Sequence, residues 1–292
     1  MTTTKPIGEI CGGLIQTALR EGNCPKHGSW SAEVRIDSKT GRVLGTDVTE
    51  CPHCAQERWE AEAPQRAEEA RRIEAEARQA KFEMLLRSSD IPLEYEGKGF
   101  KDFVADDPKS AEALRQAKLY AENFERICDT GTGLFFYGTI GTGKTHLACA
   151  ILQDLARKGV DGVYAMTWQI IQAVKSAPFG EDALAPFIRA SILVLDEVGV
   201  QTGSRFEESV VLYPLIDSRV AQRRPTIFVS NVQPDAKDPN YAGETVRKLI
   251  GERLWDRVQH RSVFLKLAGP SHRKRFASVD ELIDSITKGG NK

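Results

Sequence analysis

A chain of 292 residues with 41% apolar residues can bury a substantial core in one large domain, alone or with smaller lobes. Its formal net charge of −1 at pH 7 excludes a global field that would draw it onto nucleic acid or membrane. No apolar run approaches the roughly 18 residues of a membrane span, and residues 1–6 lack the apolar core of a secretory signal. We therefore expect a cytoplasmic protein without a membrane partner, in which reduced cysteines bind metal or are buried.

Residues 1–58 are predicted to form a small lobe that binds Zn²⁺. Two pairs of candidate ligands lie here, each pair separated by two residues, and a short loop of this kind brings two ligands to one side of an ion. Cys11 and His53 are alternatives to His27 as the fourth ligand. Such a lobe is too small to fold on apolar contacts alone, which favours a metal. The predicted zinc ligands are Cys24, His27, Cys51 and Cys54.

Two further elements are predicted before the main domain. Residues 31–37 and 42–44 indicate a β-hairpin around the turn at 38–41. Residues 59–90 are predicted to be a charged helical linker, rich in Glu, Arg and Ala, which begins near Pro64 because proline suits the first turn of a helix. Its alanine-rich stripe fits both a solvated spacer and a helix that meets a partner. Ion pairs are expected at Glu62–Arg66, Glu68–Arg72 and Glu74–Arg78.

Residues 91–279 are predicted to form an α/β domain, and residues 280–292 a C-terminal tail. Short apolar runs predict strands, and apolar residues at helical spacing predict the helices between them. The predicted strands are 134–137, 162–166, 192–197, 226–231 and 261–267, and the predicted helices are 111–127, 145–158, 167–175, 206–220 and 244–259.

Residues 138–145, between a predicted strand and a predicted helix, match the phosphate-binding pattern G-x-x-x-x-G-K-[ST] at every fixed position. Glycines let backbone N–H groups converge on phosphate oxygens, and the helix N-terminus adds partial positive charge. Lys144 is predicted to reach the β- and γ-phosphates, and the Thr145 hydroxyl to bind Mg²⁺. The predicted nucleotide-binding residues are Gly138, Thr139, Ile140, Gly141, Thr142, Gly143, Lys144, Thr145 and Asp196.

Polar residues at two predicted strand ends complete this site. The continuous apolar run at 192–195 is typical of a parallel strand buried on both faces, and ligands bind beyond the carboxyl ends of such strands. Asp196 is predicted to hold Mg²⁺, and Glu197 to activate the attacking water. Asn231 is predicted to contact the γ-phosphate or that water, with an ordinary turn residue as the alternative.

The assembled motifs resemble the AAA+ ATPases, and more narrowly the DnaC/DnaI-type replicative helicase loaders and the IstB-type transposition ATPases. The resemblance spans about residues 91–276 and is most specific at 138–145, 195–202, 230–231 and 251–257. It implies an α/β AAA+ P-loop fold, with a central parallel sheet flanked by helices and a zinc-ribbon-like lobe before it. It also implies binding of ATP or ADP with Mg²⁺.

The same resemblance implies roles for several further residues. Glu197 matches the catalytic base, Asn231 matches sensor 1, and Arg273 matches sensor 2. Arg257 matches the arginine finger that reaches the ATP of a neighbouring subunit, with Arg253 as the alternative. A finger supplied by a neighbour makes hydrolysis depend on self-association, because the charge on the transferring phosphoryl group is then stabilised only across an interface.

The function implied is ATP-dependent loading of a hexameric, DnaB-type replicative helicase onto single-stranded DNA, with ATP binding and hydrolysis timing the handover. An IstB-type helper of a transposase is the alternative, and a nucleotide-gated adaptor with little hydrolysis is a third possibility. Candidate DNA contacts lie in residues 167–189, where basic residues are few, and at 223–224.

Overall fold

The computed structural model describes residues 15–37, 50–199, 207–235, 243–273 and 279. The chain divides into two units, residues 1–76 and residues 77–292. The first unit holds strands β1, Ile15–Cys24, and β2, Gly28–Asp37. Helix α1, Pro52–Arg87, includes residues of both units.

Strands β1 and β2 form an antiparallel hairpin, in which Ile15 lies opposite Asp37 and Cys24 lies opposite Gly28. The predicted strand at 31–37 is confirmed, but its partner in the described part of the chain is residues 15–24. The segment 42–44, the predicted partner, lies outside the described residues. The chain reverses over residues 25–27, and Gly28, the first residue of β2, takes φ +76°. The hairpin therefore turns at the first pair of candidate metal ligands.

The prediction that the linker helix begins near Pro64 is wrong, since α1 begins at Pro52 and Pro64 is an interior residue. Proline at the first helical position needs no N–H partner, which explains the start at Pro52. At Pro64 one backbone hydrogen bond is missing, but the surrounding Ala, Glu and Arg are strong helix formers. The ion pairs along the helix include Glu62–Arg66, Glu69–Arg72 and Arg72–Glu76.

The second unit contains a five-stranded parallel sheet in the order β4–β5–β6–β3–β7. Its strands are β3, Gly133–Gly138; β4, Gly162–Met166; β5, Ile192–Asp196; β6, Thr226–Ser230; and β7, Ser262–Leu267. Its helices are α2, Pro108–Glu122; α3, Phe124–Cys128; α4, Lys144–Arg157; α5, Thr167–Ser176; α6, Ala185–Arg189; α7, Tyr213–Ala221; α8, Val246–Ile250; and α9, Glu252–His260. The predicted α/β fold with a parallel sheet is confirmed.

Three predicted helices differ in detail. The helix predicted over 111–127 is divided at Asn123, and the one predicted over 244–259 is divided at Gly251, which takes φ +81°. The helix predicted over 206–220 begins, within the described residues, as a π-helical segment at Glu207–Leu212 and continues as α7.

Both faces of the sheet are covered by helices. On one face, Phe136 packs in a core with Leu147 and Ile151 of α4. On the other face, Phe135 packs in a core with Leu215 of α7 and Trp255 of α9. Alternate residues of one strand thus enter two cores, which explains the continuous apolar runs of the central strands. Because the strands are parallel, the carboxyl ends of β3, β5 and β6 lie at the same edge of the sheet.

Among the described residues, none of the helices combines the length and apolar character needed to cross a membrane.

Candidate nucleotide site and metal centre

The glycine-rich loop joins β3 to α4, and its backbone requires glycine at several positions. Gly143 precedes the first residue of α4 with φ +86° and ψ +15°, the left-handed region. A Cβ atom there would lie 2.5 Å from the Phe103 ring. At Gly138, a Cβ atom would lie 1.8 Å from the backbone oxygen of Leu267 in the adjacent strand β7. These two residues let the loop curl tightly over the N-terminus of α4, the geometry that suits an anion.

Lys144 is buried at the start of α4, with its ammonium group inside the loop. Its Nζ donates hydrogen bonds to the backbone oxygens of Gly138, at 3.0 Å, and Thr139, at 2.7 Å. Burial lowers its pKa to about 8, against the opposing influence of the Asp196 carboxylate. Phosphate oxygens near the loop could replace the two carbonyl groups as partners of this ammonium group.

Thr145 and Asp196, the predicted Mg²⁺ ligands, are in direct contact. Thr145 Oγ1 donates to Asp196 Oδ2 at 2.9 Å, and the Tyr164 hydroxyl donates to the same oxygen at 2.9 Å. The Glu197 N–H donates to Asp196 Oδ1 at 2.7 Å. Burial raises the pKa of Asp196, and hydrogen bonds from these donors oppose the rise. A hydroxyl and a carboxylate are hard oxygen ligands of the kind that Mg²⁺ uses.

Glu197 and Asn231 follow the adjacent strands β5 and β6. Glu197 is half-buried and has φ +57°, a left-handed conformation that costs energy in a residue other than glycine. Asn231 is exposed. The two strand ends are tied together, since Val198 N–H donates to the Val229 oxygen at 3.0 Å and Ser230 Oγ donates to the Val198 oxygen at 2.5 Å. Both predicted residues therefore lie at the edge that carries Asp196.

Arg273 is brought near the loop. The backbone N–H of His272 donates to the Gly141 oxygen at 2.9 Å, and a Cβ atom on Gly141 would clash with the Ser271 side chain. The charge of Arg273 lies close enough to Lys144 to lower its pKa. Arg273, which is predicted to contact the nucleotide as sensor 2, therefore lies beside the loop.

Arg257 and Arg253 lie on α9, and each is close to a residue of α7. Arg257 Nε is 2.9 Å from Asp217 Oδ1, and the Arg253 guanidinium lies 5.1 Å from the centre of the Tyr213 ring. Both arginines line a surface hollow of about 330 Å³. Arg257 is 44% exposed at its side chain, so it is accessible to a neighbouring molecule.

The candidate metal centre lies in the first unit, at the hairpin turn and the start of α1. The donor atoms of Cys24, His27, Cys51 and Cys54 all lie within 4.8 Å of one another. His27 Nδ1 is 3.8, 3.7 and 3.3 Å from the Sγ atoms of Cys24, Cys51 and Cys54, and the Cys24 and Cys54 sulfurs are 3.5 Å apart. A tetrahedron with ordinary Zn–S and Zn–N lengths has edges of roughly 3.5–3.8 Å. The four donors therefore fit a tetrahedral metal ion.

Neighbouring groups support this donor set. His27 Nε2 lies 3.2 Å from Glu57 Oε1, the carboxylate contact that commonly orients a metal-ligating imidazole. The backbone N–H groups of Lys26 and His27 lower the pKa of Cys24, whereas the hydrogen bond with Cys24 raises the pKa of Cys54. The alternative ligand Cys11 lies outside the described residues. His53 is outside the four-donor cluster, although its ring centre is 5.4 Å from that of His27.

Two residues of these sites were not found from the sequence. Tyr164 lies within an apolar strand, and nothing in that run marks it as a partner of Asp196. Glu57 lies among many acidic residues of α1. In both cases the contact depends on how two distant segments are placed, which local patterns do not encode.

A parallel sheet in this order, with a phosphate-binding loop after β3 and an acidic residue at the end of β5, defines a P-loop domain of the AAA+ type. Residues 65–279 match the family described as IstB-like ATP binding protein, and the chain belongs to this family. The predicted resemblance to AAA+ proteins of the DnaC, DnaI and IstB kind is confirmed.

Relatives in two bacteria support this assignment. The chain is 29% identical over 214 residues to the replicative helicase loader DnaC of Escherichia coli strain K12, covering 71% of this chain and 82% of that protein. It is 24% identical over 202 residues to the replicative helicase loader DnaI of Bacillus subtilis strain 168, covering 67% of this chain and 64% of that protein. A crystal structure of the DnaC helicase loader matches with a TM-score of 0.54 and 23% identity, over 61% of this chain and 100% of the other, and so shares the fold.

Proposed function

We propose that this protein is a Mg²⁺-dependent ATPase that loads a hexameric replicative helicase onto single-stranded DNA. The observation that carries the ATPase part is the contact between Thr145 and Asp196 beside the buried Lys144. The loader part is supported by relatives that are themselves named replicative helicase loaders. ATP binding and hydrolysis would time the handover of the helicase.

The residues of the site divide the work of hydrolysis. Lys144 would neutralise the β- and γ-phosphates, and Thr145 and Asp196 would hold Mg²⁺, whose charge would offset that of the transferring phosphoryl group. Glu197 accepts the proton of the attacking water, which Asn231 orients from the next strand end.

Charge from outside the loop completes the site. Arg273 reaches the γ-phosphate from the segment that lies on the loop. Arg257 acts on the ATP of a neighbouring copy, with Arg253 as the alternative, because both lie on an exposed surface of α9 with α7. Self-association through the ATPase domain would then be needed for full activity.

The parts of the chain before this domain deliver it to its client. We assign residues 1–58 to a Zn²⁺-stabilised lobe that binds the helicase, residues 59–90 to the linker and residues 91–279 to the ATPase domain. The predicted tail at residues 280–292 lies outside the described residues. Zn²⁺ is favoured because three thiolates and one imidazole form a tetrahedral soft-ligand set.

Single-stranded DNA contact is assigned to residues 167–189. Two aromatic side chains there are exposed, with Trp168 at 53% and Phe179 at 110% of full accessibility. Exposed aromatic rings provide stacking platforms for unpaired bases. Lys175 and Arg189 supply the few positive charges of this segment for the phosphate backbone.

Two variants test the ATPase part. Lys144→Ala should abolish nucleotide binding, and affinity equal to that of the wild type would reject the site. Glu197→Gln should bind ATP normally and lose turnover by about 10²–10⁴-fold, because only the proton acceptor is removed. Nucleotide binding is measured by calorimetry and turnover by phosphate release, each with purified helicase and single-stranded DNA added.

The client is tested by co-purification of the full chain from its own cells with ATP present. Recovery of the replicative helicase supports the loader, whereas recovery of a transposase instead contradicts it in favour of the transposition role. The Lys144→Ala variant serves as the control for nucleotide dependence.

A further inference from the structure

We infer that Tyr164 is a positioning residue for the metal-binding carboxylate of Asp196. This inference rests on the proposed Mg²⁺–nucleotide site and names a residue that neither the phosphate-binding loop nor the acidic strand end contains. Tyr164 comes from β4, the edge strand next to β5, where it pairs in register with Val194. Its hydroxyl donates to Asp196 Oδ2 at 2.9 Å.

The two carboxylate oxygens of Asp196 accept hydrogen bonds from different donors. Oδ2 receives the Thr145 and Tyr164 hydroxyl groups, and Oδ1 receives the Glu197 N–H. A carboxylate held by donors on both oxygens cannot rotate about its last bond without losing at least one of them. Tyr164 therefore fixes the plane of the carboxylate in the orientation that meets Thr145, the other proposed metal ligand.

The environment keeps Tyr164 in this role. Its side chain is 3% exposed, and burial raises the pKa of the phenol well above its usual value, so the hydroxyl remains a proton donor. Its backbone is also fixed, because the Tyr164 N–H donates to the Ser89 oxygen at 2.7 Å. Asp196 is 5% exposed, so water has little access to replace a lost donor.

Removal of the hydroxyl should weaken the metal site without removing a metal ligand. Groups that orient metal ligands typically contribute 10–100-fold to metal affinity or activity. In Tyr164→Phe we expect Mn²⁺ affinity in the presence of ADP to fall about tenfold. ATP turnover should fall at limiting Mg²⁺ and recover at high Mg²⁺, while nucleotide affinity in EDTA stays unchanged.

Tyr120→Phe is the matched control. Tyr120 is also buried, and its hydroxyl donates to the backbone oxygen of Thr132 at 2.9 Å, away from the nucleotide site. Both substitutions remove one buried hydroxyl that has a hydrogen-bond partner, so both should lower the melting temperature by a similar amount. Only Tyr164→Phe should change metal affinity.

The experiment is a Mn²⁺ titration followed by electron paramagnetic resonance with ADP bound, on the full chain. The inference is supported if Mn²⁺ affinity falls tenfold in Tyr164→Phe and is unchanged in Tyr120→Phe. It is also supported if adding Tyr164→Phe to Asp196→Asn causes no further loss of Mn²⁺ affinity. Equal Mn²⁺ affinity in Tyr164→Phe and wild type, or an equal loss in Tyr120→Phe, overturns it.

Failure of the proposed ATP site and unfolding of the variant can each be distinguished from failure of the inference. A wild-type protein that binds no Mn²⁺–ADP would reject the proposed ATP site itself and, with it, the inference. If Tyr164→Phe melts below the assay temperature, Tyr164→Met removes the same hydroxyl with a flexible apolar side chain and is read by the same titration.

Discussion

Replacing Cys51 with alanine should unfold the first unit and leave the second unit folded. The buried apolar side chains among the described residues of the first unit are Cys24, Val34 and Cys51, and two of these are proposed metal ligands. Burial of Val34 contributes about 2 kcal/mol. A structural Zn²⁺ ion contributes roughly 10–16 kcal/mol to the folding of small metal domains. Loss of one of four donors should therefore remove most of the stabilisation of the hairpin.

The assay combines metal analysis with limited proteolysis. Wild-type protein should carry about one zinc ion per chain, and its hairpin should resist trypsin at Arg20, Lys26 and Arg35. Cys51→Ala should lose the metal and be cut at these sites, while the ATPase domain stays intact. Cys128→Ser, in α3 and outside the four-donor cluster, is the control and should behave as the wild type. A metal-free Cys51→Ala protein with a protected hairpin would refute the reasoning.

Three further predictions concern the ATPase domain. Gly143→Ala should lower the melting temperature more than Gly97→Ala, because both residues have left-handed φ values but only at Gly143 would the new Cβ clash, 2.5 Å from the Phe103 ring. The clash should lower the free energy of unfolding of Gly143→Ala by a further ~1–3 kcal/mol. Equal melting temperatures for the two variants would contradict this. Because burial lowers the pKa of Lys144 to about 8 and phosphate favours the charged form, nucleotide affinity should fall as the pH rises through 8, with proton uptake on binding. Calorimetry at pH 8.5 in two buffers of different ionisation enthalpy measures this uptake, and none would be contrary evidence. Arg257→Ala should bind ATP normally as a monomer and lose the stimulated hydrolysis of the assembled protein, whereas unchanged stimulated phosphate release would exclude the finger role.

The features that could be predicted from the sequence are those whose chemistry is local. The phosphate-binding loop is eight contiguous residues between a strand and a helix, so its pattern and context appear together. Asp196 follows an uninterrupted apolar run, and a buried parallel strand places its last residue at the ligand-binding edge. The spacing within each of the two candidate ligand pairs, Cys24/His27 and Cys51/Cys54, likewise encodes half of a tetrahedral site.

The features that were missed depend on long-range pairing. Residues 15–24 contain several polar residues and a glycine, so no apolar run marked them as the partner of β2. Whether Tyr164 meets Asp196 depends on the register of β4 against β5, which pairs Met166 with Asp196. The start of α1 is not evident from the sequence because Pro52 and Pro64 both suit the first turn of a helix, and the helix begins at Pro52.

We propose that ATP binding and hydrolysis at this site drive the transfer of a ring-shaped helicase onto DNA. This claim is tested most directly by helicase loading onto covalently closed circular single-stranded DNA, which a closed ring cannot thread without being opened. The readout is displacement of an annealed oligonucleotide by the replicative helicase of the same organism. Wild-type protein with ATP should produce displacement that Lys144→Ala does not support. Equal displacement with wild type, with Lys144→Ala and without either protein would contradict the claim.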